Sequence, residues 1–454
     1  MSQTYDLVIL GAGSGGYAAA LRGAQLGMSV ALVESDKVGG TCLHTGCIPT
    51  KALLHAAEVA DAANSGAKIG VNTSLDGIDM DKVNAYKDGV VDRLTKGLSS
   101  LIAARKIEYV EGWGTLTGPD TVQVGDRTLT GKNIVLATGS YARTLPGLDI
   151  GGRIMTSEEA LKIDYVPSSA IVLGGGVIGV EFASVWRSFG AEVTIVEALP
   201  SLVPNEDKSL AKGLERAFRR RGIKSHTGVK FTGATQSDDG VSVTLEDGKT
   251  LEADLLLVAV GRGPVTADLG YEAQGINMER GFVLVDDSLH TGVGNIYAIG
   301  DITPGLQLAH RGFAHGIFVA ERIAGLNPAP IVDSQIPRVT YCDPEVASVG
   351  LTEDEAREEY GEIDSYEFNL GGNGKSQILG TTGFVKLVRA KDGPIVGVHM
   401  LGARMGEQIG EGQLMVNWEA FPDDVANLIH AHPTQNEALG EAALALAGKP
   451  LHSM

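Results

Sequence analysis

The sequence predicts an α/β chain with two parallel-sheet domains and a C-terminal α+β domain. Three observations carry that expectation. A glycine-rich turn at the end of an apolar run occurs twice, and an acid follows its first glycine at the same interval in both copies, Gly11 to Glu34 and Gly174 to Glu197. No third turn of this kind follows Asp301. The chain has 454 residues, more than one hydrophobic core normally supports, so two or three domains are expected.

The first unit runs from an apolar stretch, Tyr5 to Leu10, through Gly11-Ala12-Gly13-Ser14-Gly15-Gly16 into an alanine-rich segment, and ends on a second apolar stretch, Ser29 to Glu34. This is the order strand, tight turn, helix, strand of a Rossmann-like opening. Gly11, Gly13 and Gly16 allow the turn and a close approach of backbone to a pyrophosphate, which the helix N-terminus attracts with free N–H groups. Glu34 is placed to accept ribose hydroxyls. The second copy has Ile171-Val172-Leu173, then Gly174-Gly175-Gly176-Val177-Ile178-Gly179, then a strand ending at Glu197. Gly174, Gly176 and Gly179 repeat the roles, and two dinucleotides are therefore expected. Glu197 is followed by Ala198, Leu199 and Pro200 with no arginine for a 2′-phosphate, which favours NAD(H) over NADP(H).

Between the two units lies Gly39-Gly40-Thr41-Cys42-Leu43-His44-Thr45-Gly46-Cys47-Ile48-Pro49-Thr50-Lys51, which holds two of the three cysteines. A thiol pair exchanges two electrons and nicotinamide moves two as a hydride, so an intermediary that handles both, a flavin, is expected between them. The cysteines follow the first turn directly, which assigns FAD to Gly11–Glu34 and NAD to Gly174–Glu197. On an unbroken helix, Cα atoms five residues apart stand roughly 8.6 Å apart, beyond the roughly 7 Å a disulfide spans. The backbone between the cysteines must therefore be distorted, with Gly46 as the permissive residue and regular helix beginning at Pro49. A helix N-terminus beside the thiols is expected to lower a thiol pKa.

That segment resembles the redox-active peptide of the pyridine nucleotide-disulfide oxidoreductase flavoproteins, and the resemblance extends over essentially the whole chain. Within the family it is most similar to the branch that oxidises dihydrolipoamide and serves 2-oxo acid dehydrogenase complexes. The resemblance implies that Cys47 lies against the flavin and Cys42 exchanges with substrate. It also implies that Lys51 stands near the reactive edge of the flavin and pairs with Glu181. The family carries asparagine or a similar residue where His44 stands, and His44 is given no catalytic role.

The remaining motifs follow in the family's order. Ala137-Thr138-Gly139 resembles the turn leaving the flavin domain, and Val260-Gly261-Arg262-Gly263-Pro264 the segment leaving the NAD domain. Ile299-Gly300-Asp301 resembles the flavin-binding strand and acid, with Ala309-His310 continuing under the ring. Thr138, Gly139, Gly261, Asp301 and Ala309 are thus expected to bind cofactor. From Ile336 the chain resembles the dimerisation domain; Cys342 falls there without a partner and reads as a small core residue. The segment His430-Ala431-His432-Pro433-Thr434-Gln435-Asn436-Glu437 supplies an acid–base group, with Glu437 orienting His432 as an acid orients a hydrolytic histidine. His430 is expected to be the less important histidine.

The expected domains are 1–148 with 265–335 for FAD, 149–264 for NAD, and 336–454 for dimerisation. A net charge of −19 disfavours nucleic acid and anionic membranes. Glycines interrupt the only early apolar stretch, so no membrane span is expected. Three cysteines and no leader-like start favour a cytoplasmic protein, and no paired ligand motif suggests a metal. The expected partners are a second copy of the chain and the lipoyl domain of an acyltransferase. A mycothione or glutathione reductase on the same scaffold, or a protein that chiefly docks into a complex, is the alternative. No second cysteine pair occurs after Ala443, which disfavours mercuric reductase and large thioredoxin reductases.

Overall fold

The computed structural model describes residues 4–452 and forms two compact units. The outermost residues of the expected first and last domains, 1–3 and 453–454, lie outside the described residues.

The first unit comprises the chain up to Ala52, Asp81–Arg143 and Gly261–Asp333. Its seven-stranded sheet is parallel at its centre, in the order Glu108–Glu111, Val30–Glu34, Thr4–Leu10, Arg127–Leu136, with Ile296–Ala298 parallel to the last of these. Two antiparallel strands, Thr121–Val124 and Gly114–Gly118, extend it. The first strand is apolar at every buried position, Tyr5 and Leu7 to Leu10, because both its faces are covered. Leu7 and Ile9 pack with Ala19, Leu32 and Phe318 on one side, while Tyr5, Val8 and Leu10 pack with Val33, Leu116 and Ile134 on the other. The helix Ser14–Gln25 lies along the helix Ala309–Ile323, and glycine is required at the contact. A Cβ on Gly316 would fall 2.3 Å from the Gly15 carbonyl oxygen.

The second unit comprises Leu53–Met80, Thr144–Val260 and the chain from Ser334 onward. Its parallel sheet runs Lys224–Thr227, Glu192–Glu197, Ser169–Leu173, Leu255–Val258, Ile154–Met155, with an antiparallel three-stranded sheet formed by Phe231–Ser237, Gly240–Leu245 and Thr250–Ala253. Its C-terminal part is an antiparallel sheet in the order Arg338–Thr340, Glu345–Gly350, Ile395–Gly402, Phe384–Ala390, Ile363–Asn369. One face of that sheet packs Ala347, Val349, Leu387, Val398 and Met400 against the helices Met405–Asn417 and Glu437–Leu446. The other face carries a cross-strand row of polar residues, Arg338, Ser348, His399, Lys386 and Glu367, each in register with the next. Asp207, which caps the helix Lys208–Arg221, meets this row at Lys386, 2.9 Å away. Parallel sheets bearing both glycine turns, followed by an α+β part, match the expected fold class.

Candidate redox active site

The two glycine turns are built alike. Gly11 and Gly174 have positive φ, +95° and +110°, and a Cβ on either would strike a carbonyl oxygen of the neighbouring strand end, Ala137 at 2.2 Å and Ala259 at 2.3 Å. A Cβ on Gly16 would lie 1.8 Å from the Gly11 oxygen and one on Gly179 2.0 Å from the Gly174 oxygen, so the last glycine lets each helix press onto its own turn. The middle glycines differ: beyond Gly13 and Gly176 nothing stands within 4 Å. Both precede a helix, Ser14–Gln25 or Val177–Ser188, as the capping residue, and no side chain satisfies the free N–H groups there. An open backbone at an uncapped helix N-terminus fits a dinucleotide pyrophosphate. Each terminal acid also braces its turn. Glu34 accepts hydrogen bonds from the N–H groups of Ala12 (2.7 Å) and Asp36 (3.0 Å). Glu197 accepts from Gly175 (2.6 Å) and Leu199 (2.7 Å).

The cysteine segment bends as its spacing requires, with the break at Thr45 and Gly46, although the following helix starts earlier than expected. A short helix, Gly40–His44, stops at Thr45, and a second helix, Cys47–Ser65, starts two residues before Pro49. Proline is tolerated at the third helical position because an N–H there has no helical partner. Gly46 is not at positive φ; a Cβ on it would come 2.9 Å from the Thr41 oxygen, so it is needed for close approach instead. The left-handed residues are Gly39 (φ +105°) and Gly40 (φ +58°), and a Cβ on Gly40 would sit 2.8 Å from Cα of Gly13. The cysteine segment is thereby pressed against the first glycine turn.

Cys42 and Cys47 are both thiols, each half-buried. The Cys42 thiol is pushed up, first by its hydrogen bond with Cys47, then by burial and by the charge of Cys47, against smaller pulls from Lys51 and the Ser14 hydroxyl. The lowering expected for one thiol of the pair is not at Cys42. Cys47 is the first residue of the helix Cys47–Ser65, a place where free N–H groups favour a thiolate. Tyr17 stands on the same side, its phenol pushed up to about 12 by burial and the Cys42 charge. His44 makes a hydrogen bond with the Val38 carbonyl (2.9 Å), a structural contact.

In the same unit Asp301 accepts a hydrogen bond from the Ser140 hydroxyl (2.6 Å), and Ser140 is gripped by Arg262 through its hydroxyl and its carbonyl, each at 2.7 Å. The strands Ser140–Ala142 and Arg262–Pro264 pair antiparallel, so the turn at Gly139 and the return at Gly261 meet in one ribbon that orients Asp301. Thr138 donates to the Val265 carbonyl (2.6 Å) beside Gly139, and Ala309 opens the helix Ala309–Ile323. Ser140 was not singled out in the sequence and Arg262 only as part of its segment, because their contact forms when the two connections pair.

In the second unit Glu181, 2% exposed, accepts a hydrogen bond from the Tyr341 N–H (2.9 Å). Cys342 is 1% exposed and donates its thiol proton to the Pro344 carbonyl, as a small core residue. His432 Nδ1 lies 2.8 Å from Glu437 Oε1, and the other carboxylate oxygen accepts from the Thr434 N–H (2.7 Å). Burial pushes Glu437 up, and the Thr434 N–H and His432 more than offset it, so the carboxyl titrates below its usual range. A second pair, His430 Nε2 with Glu411 Oε1 at 2.9 Å, lies beside the first. Glu411 comes from another helix, and no local pattern connects it to His430. Among the described residues no three potential ligands cluster as a metal site, and no helix is long and apolar enough to cross a membrane.

The sequence profile described as pyridine nucleotide-disulphide oxidoreductase matches residues 5–316, and the profile of that family's dimerisation domain matches residues 336–443. The chain is 42% identical to a dihydrolipoyl dehydrogenase of Bacillus subtilis, with 100% of both chains covered, and 38% identical to one of Thermus scotoductus, with 99% of both covered. Among solved structures it resembles LpdA from Mycobacterium tuberculosis, at TM-score 0.90 and 25% identity over 97% of this chain and 99% of that one. It also resembles the flavoprotein disulfide reductase RclA from Escherichia coli, at TM-score 0.87 and 28% identity over 97% and 99%.

Proposed function

The chain belongs to the pyridine nucleotide-disulphide oxidoreductase family, and we propose that it oxidises dihydrolipoamide to lipoamide with NAD⁺ as final acceptor, using FAD and the Cys42–Cys47 pair. The observation that carries this reading is the placement of the two thiols in mutual hydrogen-bonding reach on a segment pressed against the first glycine turn. A thiol pair beside a dinucleotide turn is suited to passing two electrons between a disulfide and a cofactor.

In the oxidised protein Cys42 and Cys47 share a disulfide. One dihydrolipoyl thiolate attacks Cys42 Sγ; a bond forms between these sulfurs and Cys47 leaves as thiolate. The second dihydrolipoyl thiolate attacks the lipoyl sulfur of that mixed disulfide, closing lipoamide and releasing Cys42. Substrate thus loses two electrons and the cysteine pair gains them. His432 takes the proton of the first substrate thiol at Nε2, because Nδ1 donates to Glu437 and the carboxylate stabilises the cation that results. It gives that proton to Cys42 as that sulfur leaves, and takes the proton of the second thiol. FAD, when bound, supplies two-electron passage from the dithiol to NAD⁺.

In this reading Gly11, Gly13, Gly16, Glu34, Lys51, Thr138, Gly139, Asp301 and Ala309 hold FAD. Gly174, Gly176, Gly179, Glu197 and Gly261 serve NAD, and Lys51 with Glu181 supports the reacting edge of the flavin. The flavin part spans 1–148 and 265–335, the NAD part 149–264, and the remainder is the dimerisation part. The lipoyl domain of an acyltransferase is the substrate carrier, and the cytoplasm is the compartment that suits a reducible thiol pair. The residues flanking the cysteines, Leu43, Ile48, Leu53 and Leu54, are apolar, which suits an uncharged lipoyl arm better than glutathione. Parallel steady-state assays with dihydrolipoamide, oxidised glutathione and mycothiol disulfide test the reading. Dihydrolipoamide is expected to turn over fastest, and faster reduction of either other disulfide overturns the assignment.

A further inference from the structure

We propose that Glu411 is a positioning residue for His432, acting by clamping both ends of the segment that carries it. The inference rests on the reading of His432 as the acid–base group. That group is poorly held by its own surroundings: 77% of the His432 side chain is exposed, and its ring is tied by the contact to Glu437. Its orientation therefore depends on the backbone from His430 to Asn436.

Glu411, on the helix Met405–Asn417, reaches both ends of that stretch. Oε1 accepts from His430 Nε2 at 2.9 Å, and Oε2 accepts from the Asn436 side-chain amide. Asn436 directly precedes Glu437 and caps the helix Glu437–Leu446, so this second bond also fixes the carboxylate that holds His432. The His430 ring is seated against Gly440 of the same helix, where a Cβ would come 2.6 Å from Nδ1. Any larger residue at position 440 would displace the ring. Between the two clamped ends, Thr434 donates to the Ala431 carbonyl (2.7 Å), and its own carbonyl accepts from the Asn373 amide (2.9 Å).

The charges agree with the geometry. Glu411 raises the His430 pKa by its hydrogen bond, while burial raises Glu411 and the contacts with His430 and Asn436 outweigh that and lower it. Glu437 is the other carboxylate that acts on His430. A carboxylate suits this place because it offers an acceptor to each of two donors at once, whereas glutamine offers one. His430 was the histidine with no evident task; in the folded chain it is the anchor through which Glu411 holds the loop.

Glu411→Ala, His430→Ala and His430→Gln holoenzymes are compared with His432→Gln for dihydrolipoamide oxidation by NAD⁺ and for NADH oxidation by an artificial acceptor that bypasses the thiols. Glu411→Ala and His430→Ala are expected to lose about ten- to a hundredfold in dihydrolipoamide kcat, the scale on which misplacing a reacting group acts. KM and the NADH–acceptor rate should stay as in the parent. His430→Gln, whose amide still donates to Glu411, should recover most of the loss. Parent-like turnover in Glu411→Ala while His432→Gln is inactive overturns the clamp, as does equal loss of the NADH–acceptor rate, which would mean general disruption. Full activity in His432→Gln overturns the functional reading and the clamp with it.

Discussion

His432 Nδ1 lies 2.8 Å from Glu437 Oε1, yet 77% of the histidine side chain is exposed. If His432 is the acid–base group proposed above, the carboxylate holds one ring nitrogen while most of the side chain stays exposed. In a protein with the family's dimerisation domain at residues 336–443, the natural recipient is a second copy of the chain. Cys42→Ser and His432→Gln chains, each inactive alone, are expected to regain activity when subunits are exchanged. Equal mixing places an intact set of residues in about a quarter of all sites, because half of the dimers are mixed and each mixed dimer has one intact site. Activity and the mixed-dimer fraction are measured on the same sample. No recovery in proven mixed dimers would show that each site is built from one chain.

Cys42 and Cys47 should separate two activities. Replacing either with serine is expected to lower dihydrolipoamide oxidation by at least about a thousandfold, since the disulfide that accepts substrate electrons is gone. NADH oxidation by an artificial acceptor should persist, because neither sulfur is needed for electrons that bypass the pair. Stopped-flow and steady-state rates on FAD-loaded protein distinguish the outcomes. Joint loss of both activities would give the pair a structural role.

The proposed NAD site gives a specificity test. Glu197 is 9% exposed and accepts hydrogen bonds from Gly175 and Leu199, while Ala198 beside it is exposed. Glu197→Gln with Ala198→Arg removes the negative charge and adds a partner for a 2′-phosphate. The ratio of NADPH to NADH kcat/KM is expected to rise about tenfold or more, the size of one lost repulsion and one gained ion pair. An unmoved ratio would take Glu197 away from the adenosine ribose.

These residues were legible because their chemistry is local. A glycine turn, its following helix and its terminal acid lie within one strand–helix–strand unit, so Gly11 to Glu34 and Gly174 to Glu197 could be read along the chain. The cysteine spacing implied the bend and Gly46 marked its place, whereas the start of the next helix at Cys47, ahead of Pro49, was not legible. At Cys42 the hydrogen bond with Cys47 and burial push the thiol up, an effect of contacts that the spacing of the cysteines does not reveal. The Arg262–Ser140–Asp301 chain and the Glu411 clamp were hidden for one shared reason. Each joins residues distant in sequence through side chains that make no pattern until strands or helices pack.

The polar row in the C-terminal sheet gives a prediction about acid stability. His399 is fully buried, donates from Nε2 to the Leu351 carbonyl at 2.9 Å, and has no hydrogen-bond partner at Nδ1. Burial holds its pKa down to about 4 from 6.5; Lys386 and Arg338 act in the same direction, and Asp207 and the Leu351 contact oppose them. A second proton would place an unmatched charge in the core. The folded protein therefore binds that proton less readily than the unfolded chain. Its contribution to stability is full above pH 6.5 and is lost as pH falls from 6.5 toward 4, by about 3 kcal/mol for this group. His315, 2% exposed and held down to about 4 by burial and Arg311, adds to the loss in the same window. Asp207 is depressed, so its contribution is lost only at lower pH, below the usual carboxylate range. Urea unfolding between pH 7.5 and pH 4.5 should show stability falling with acid, and His399→Gln should flatten that slope by up to about one proton. An identical slope in the variant would mean that His399 already takes up its proton in the folded state.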